Sequence, residues 1–153
     1  MAKKKIKSKK EIIVAVSGGF DPIHPGHVRL FEEAKALGDK LVVIINNDNW
    51  IKAKKRHGFM SAKERKEVIE GFRAVDAVMI SKHKPNPKDM SVVQELRLLQ
   101  PDIFANGGDR TSKNTPEDIV CKELGIKMVF GVGKGGKINS SSWLLEKYVQ
   151  SKR

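Results

Sequence analysis

The chain has 153 residues, 39% hydrophobic and 31% charged, with a formal net charge of +12. That length suits one core buried between layers of secondary structure and is too short for two, and no apolar run approaches the roughly 20 residues that a membrane span requires. Cys121 has no disulfide partner and the N-terminus lacks the apolar stretch of a secretory signal, so a cytoplasmic setting is expected.

Lys3, Lys4, Lys5, Lys7, Lys9 and Lys10 supply half of the excess charge before the first apolar segment begins. A like-charge block of this kind reads as a solvated, disordered tail over residues 1–10, ahead of a folded domain over residues 11–150. Nucleic-acid contact is the lesser reading of those lysines.

Residues 11–17 form a β-branched, apolar run that Gly18-Gly19 ends, the pattern of a buried strand, and residues 41–46 form a second. Between them, Val28, Phe31, Ala34 and Leu37 fall at helical spacing within residues 26–37, completing a strand, helix, strand unit. Ser61 and Glu64 make a capping box that opens a helix to about Phe72. A strand is predicted at 77–80, a helix at 88–99, a strand at 102–105, a helix from Thr115-Pro116 to Leu124, a strand at 126–130 and a final helix at 140–149. The basic stretch 50–58 reads as a mobile loop, and Trp143 and Tyr148 as packing residues of the last helix. Alternating strands and helices predict a single α/β, Rossmann-like domain, an open parallel sheet of about five strands with helices on both faces. Ligands of such sheets lie at the carboxyl ends of the strands. Function is therefore expected in residues 18–27, 46–60, 106–115 and 131–142.

The segment from Ser17 to His27 carries the strongest chemical signal. His24 and His27 stand three apart at a helix start, where both rings face one ligand. Gly26 between them leaves the backbone open, and the helix terminus offers unpaired N–H groups to an anion. Zinc is a second reading of the two imidazoles, but no third ligand lies nearby at metal spacing. His57 and His83 read as loop histidines, Cys121 as a small buried hydrophobe, and Trp50 as an aromatic beside the ligand mouth.

Gly18-x-Phe20-Asp21-x-x-His24-x-Gly26-His27 resembles the HxGH signature of the cytidylyltransferase-like nucleotidylyltransferase superfamily. The resemblance runs from Ile12 to Leu145 through Ala34–Asp39, Asn47-Asp48, Glu64-Arg65, Val75-Asp76, Gly107-Gly108-Asp109 and Ser140-Ser141-Ser142. In pattern it is close to glycerol-3-phosphate cytidylyltransferases and to the adenylyltransferase domain acting on heptose 1-phosphate. It implies transfer of CMP or AMP from CTP or ATP to a small sugar- or polyol-phosphate, with release of pyrophosphate. Mg2+ is the expected cofactor because it neutralises the triphosphate, no dedicated carboxylate cage being visible in the sequence, and a homodimer is implied.

Residue by residue, the resemblance implies that His24, His27, Lys52, Lys55 and Arg65 act on the triphosphate. Gly18, Gly19, Phe20, Asp21, Gly26, Lys134, Ser140, Ser141 and Ser142 would bind the nucleotide, and Asp109 and Arg110 the acceptor, Asp109 holding one of its hydroxyls or a hydrated metal ion. Lys134–Asn139 replaces the arginine-threonine-glutamate-glycine run common in cytidylyltransferases, and Gly19 replaces a hydroxyl residue, which leaves the base open. The opening Gly-Gly-Phe-Asp-Pro-Ile-His also resembles adenylyltransferases of nicotinate mononucleotide and phosphopantetheine. A non-catalytic nucleotide- or nucleic-acid-binding protein on the same fold is the rival from another class.

Overall fold

The computed structural model describes residues 8–108, 110–111, 114–133 and 140–153. Five strands, β1 (Ile13–Gly18), β2 (Lys40–Ile45), β3 (Ala77–Ile80), β4 (Ile103–Gly107) and β5 (Lys127–Val132), form one parallel sheet in the order β3-β2-β1-β4-β5. Strands β1 and β2 pair along their whole length, from Ile13 opposite Lys40 to Gly18 opposite Ile45. Their near-continuous apolar sequences follow from burial on both faces. On one face, α1 (Pro25–Lys35) and α3 (Ala62–Glu70) cover Val14, Val16, Leu41, Val43 and Ile45 with Phe31, Ala34 and Ile69. On the other, α4 (Val93–Leu99) and α5 (Pro116–Leu124) bring Leu96, Val120 and Cys121 onto Ala15, Ile44 and Phe104.

The order of strands creates the site. From β1 the chain steps outward to β2 and β3, then returns across to β4 on the other side of β1. The loops leaving β1 and β4 diverge there and open a crevice at the carboxyl edge of the sheet.

Three expectations need correction. Residues 48–55 are not a loop but helix α2 (Asp48–Lys55), capped by the Asn47 side chain, which accepts from the Trp50 N–H. Trp50 and Ile51 are buried beneath it, and Lys52, Lys54 and Lys55 sit in its last turn, where the dipole favours cations. Helix α4 starts at Val93, later than the predicted 88. Asp89 takes the Ser91 N–H and Glu117 takes the Val92 N–H, so these donors serve a turn instead of a helix. In α6 (Ser141–Ser151) no residue is buried, and Trp143 and Tyr148 are exposed rather than packed. Of the proposed tail, residues 1–7 lie outside the described residues; Lys10 reaches the Asp102 carboxylate at 3.0 Å. Among the described residues no helix is long and apolar enough to cross a membrane.

Candidate active site

The two histidines build the start of α1 themselves. His24 is the N-cap, and its Nδ1 accepts the Gly26 N–H at 3.1 Å. The His27 Nδ1 reaches back to accept the His24 N–H at 3.3 Å, closing a reciprocal capping box of two imidazoles. A backbone N–H only donates, so each Nδ1 is the acceptor and the proton of each neutral ring sits on Nε2. The rings stack with centroids 3.7 Å apart and 29° between planes.

Both rings are held neutral. Burial first, then the Lys55 ammonium, lowers the pKa of His24. Burial, then His24 and Lys55, lowers that of His27 to about 3. The result is two N–H donors fixed in tautomer before any ligand arrives.

Beneath them, Phe20 adopts a left-handed backbone with φ of 50°, which costs on the order of 1–3 kcal/mol for a bulky residue. Its ring, almost fully buried, makes edge contacts with His27 at 4.9 Å and Phe31 at 5.2 Å. That packing offsets the strain and turns the Gly18-Gly19 backbone toward the crevice. A Cβ at Gly18 would stand 2.9 Å from the Phe20 ring, so only glycine lets the loop fold this way.

The crevice is a cavity of about 360 Å³. All four predicted ligand stretches meet there. Gly18, Gly19, Phe20, His24, Gly26 and His27 line it from the β1–α1 segment, Lys55 from α2, Arg110 from the segment after β4, and Ser140, Ser141 and Ser142 from the start of α6. The α6 terminus is tied down by the Ser141 hydroxyl, which donates to the Pro22 carbonyl at 2.9 Å, and Ser140 caps the helix by accepting the Trp143 N–H. Two helix N-termini therefore converge on one space, an arrangement that favours a polyanion. Burial lowers the Lys55 pKa, and its ammonium donates to the Asp21 carbonyl at 3.0 Å.

Three predicted residues fall elsewhere. Arg65 is completely buried and does not line the cavity, with its guanidinium donating to the carbonyls of Gly19 (2.8 Å), Asn46 (2.6 Å) and Met60 (3.2 Å) and to the Asp48 carboxylate (2.9 Å). It clamps the walls together instead of lining them. Asp21 is buried, and its two carboxylate oxygens accept the N–H groups of Phe59 and Met60. Lys52 is exposed and does not line the cavity, whereas Lys54 does. Asp109 and Lys134 lie outside the described residues.

The structure also adds wall residues that the motif does not contain: Leu30, one turn beyond His27, and Trp50, Asn106, Val132 and Gly133. Leu30 shares the His27 face of α1, a spacing the sequence does carry. At Gly107 a Cβ would lie 2.9 Å from the Leu30 side chain and 3.0 Å from the Val132 carbonyl, so glycine keeps that end of the cavity open.

A family model described as cytidylyltransferase-like matches residues 15–130. The FAD synthase of Pyrococcus horikoshii is 38% identical over 122 residues, which make up 79% of this chain and 74% of that protein. The bifunctional protein HldE of Koribacter versatilis is 35% identical over 101 residues, 65% of this chain and 20% of that longer one. Among solved structures, the lipopolysaccharide core biosynthesis protein of Thermoplasma volcanium superposes with a TM-score of 0.68 at 26% identity, covering 81% of this chain and 98% of that one.

Proposed function

Since the chain belongs to the cytidylyltransferase-like family and is a nucleotidyltransferase, we propose that it transfers AMP from ATP to the phosphate of a phosphorylated polyol, with flavin mononucleotide as the favoured acceptor. The observation that carries the transfer is the pair of neutral imidazoles whose Nε2–H donors share one cavity with the α6 terminus and Lys55. An acceptor phosphate oxygen attacks the α-phosphorus in line, a new P–O bond forms, the bond from the α-phosphorus to the bridging oxygen breaks, and pyrophosphate departs. Negative charge grows on the departing oxygens, and fixed N–H donors and Lys55 stabilise it there more than in the ground state. The acceptor phosphate is already ionised at neutral pH, so no general base is required.

Magnesium belongs to the substrate in this scheme. The carboxylates of Asp21 and Asp48 beside the cavity are committed to backbone N–H groups and to Arg65, and among the described residues no cluster is built to hold a metal ion. Among the described residues these carboxylates are not free for a resident metal, and in this reading the triphosphate brings its own.

The relatives named FAD synthase favour AMP over CMP, because FAD is flavin mononucleotide joined to AMP. Flavin mononucleotide is itself a polyol phosphate, a ribityl chain with a ring at its far end. A sugar phosphate is the second reading, favoured by the pattern shared with heptose 1-phosphate adenylyltransferase domains and by the likeness to a lipopolysaccharide core biosynthesis protein. Pyrophosphate release with ATP and CTP against flavin mononucleotide, glycerol phosphate, sugar 1-phosphates, nicotinate mononucleotide and phosphopantetheine tests both. ATP with flavin mononucleotide is the expected pair. Release only with other acceptors removes the acceptor assignment, and no release with any pair removes the transfer reading from this panel of substrates.

A further inference from the structure

Helix α2 brings Lys54 and Lys55 to the cavity, yet only Trp50 and Ile51 of its eight residues are buried. The segment between β3 and α4 supplies much of its hold. At the start of that segment, the Ser81 hydroxyl accepts the Asn47 N–H at 2.9 Å, and the His83 carbonyl accepts from the side-chain amides of Asn47 and Asn49, each at 2.8 Å. At its end, the Met90 carbonyl accepts the Trp50 indole N–H at 2.9 Å.

The His83 ring stitches these two ends together. Its Nδ1 is 2.7 Å from the Ser81 hydroxyl and its Nε2 is 2.9 Å from the Ser91 carbonyl. A carbonyl only accepts, so the neutral ring carries its proton on Nε2 and the Ser81 O–H donates to Nδ1. The Ser81 oxygen is then left to accept from Asn47. Asn47, Ser81, His83 and Ser91 thus form one continuous hydrogen-bond chain from the α2 cap, a network of the kind that fixes one geometry.

We propose that His83 is a positioning residue for the triphosphate: by closing residues 81–91 around the first turn of α2, it aims Lys54 and Lys55 into the cavity. His83 does not line that cavity and acts through the helix. Helix α2 is about 12 Å long at 1.5 Å per residue, so a small tilt at its cap moves the lysines at its far end most. This inference rests on reading the cavity as a nucleoside triphosphate site.

The test is calorimetric titration of ATP and CTP into the wild-type protein, His83→Ala, His83→Gln, the Lys54→Ala/Lys55→Ala variant, and that variant with His83→Ala added, with a thermal melt of each. His83→Ala is expected to weaken ATP binding about tenfold, a shift on the scale of one lost charge-assisted contact. His83→Gln, whose amide still donates toward Ser91, recovers most of it. In the background without the two lysines the His83→Ala loss shrinks to about twofold or less, because what His83 positions is gone. A purely structural histidine would lower the melting temperature and the affinity equally in both backgrounds, and that result overturns the proposal, as does unchanged ATP affinity in folded His83→Ala. A wild-type protein that binds neither nucleotide brings down the nucleotide reading and this inference with it; one that binds, with an indifferent His83, brings down this inference alone. If His83→Ala does not fold, Ser81→Ala opens the same stitch from its other side and is held to the same outcomes.

Discussion

Replacing Arg65 with methionine should unfold the protein more readily without removing any group that lines the cavity. The guanidinium is entirely buried and donates to three carbonyls on three separate segments and to Asp48. Methionine fills much of the volume and satisfies none of those acceptors. Removing one partner of a buried charged network costs about 3–5 kcal/mol, and the exposed side of Asp48, which water can reach, holds the figure toward the lower end. At about 2–4 °C per kcal/mol for a chain of this size, the melting temperature should drop by roughly 10 °C. The measurement is a thermal melt paired with ATP titration well below the transition. Affinity should fall only as far as the loosened Gly19 carbonyl disturbs the loop, within about tenfold. A melting temperature within 2 °C of wild type together with abolished ATP binding would show Arg65 acting on the ligand, and the clamp reading would be wrong.

His24→Ala and His27→Ala should each lower kcat by on the order of 10² or more, since each removes a preorganised donor; pyrophosphate release measures it, and unchanged kcat in both removes the site. The lowered pKa of His27 also sets a sign for stability against pH. The unfolded imidazole takes up a proton near 6.5 and the folded one not until about 3, so its stabilising contribution is complete above pH 6.5 and is lost as pH falls toward 3. The gap in melting temperature between wild type and His27→Ala should therefore narrow on acidification, and a widening gap would contradict the buried neutral ring. Lys55→Ala should weaken ATP about tenfold while Lys52→Ala stays within about twofold, the scale of a charge-assisted contact against none; equal losses in titration would mean that both lysines reach the ligand.

The strands were legible because each is apolar for the length the sheet buries, and residues 77–80 fall where the pattern put them. Helix α2 was not, since an eight-residue helix with two adjacent buried residues shows no repeat of its apolar face, and its lysines look like a solvated loop. The meeting of His24 and His27 with Ser140–Ser142, more than a hundred residues apart, followed from the rule that ligands gather at the carboxyl edge of a parallel sheet. Arg65 and Asp21 resisted reading for a shared reason. Their partners are backbone groups of other segments, Gly19 and Asn46 for the arginine and Phe59 and Met60 for the carboxylate, and a carbonyl or N–H leaves no mark in the sequence. A buried charge that serves the main chain looks, in one dimension, like a charge that serves a ligand.

The imidazole capping box at the head of α1 bears on which ions the cleft can capture. Two histidines one helical turn apart are ordinarily an invitation to zinc or nickel, which bind through a ring-nitrogen lone pair. Here each Nδ1 already receives a backbone N–H, and Nε2 exposes its lone pair only if the ring proton moves to Nδ1, head-on against that N–H. Capture by a transition metal would have to reverse both tautomers and undo a helix cap worth about 1 kcal/mol. Micromolar zinc should accordingly leave ATP affinity unchanged in titration, and competition between the two would show that the rings turn over freely. One turn of backbone thus holds both Nε2 atoms in donor form, the form that suits an anion and not a metal ion.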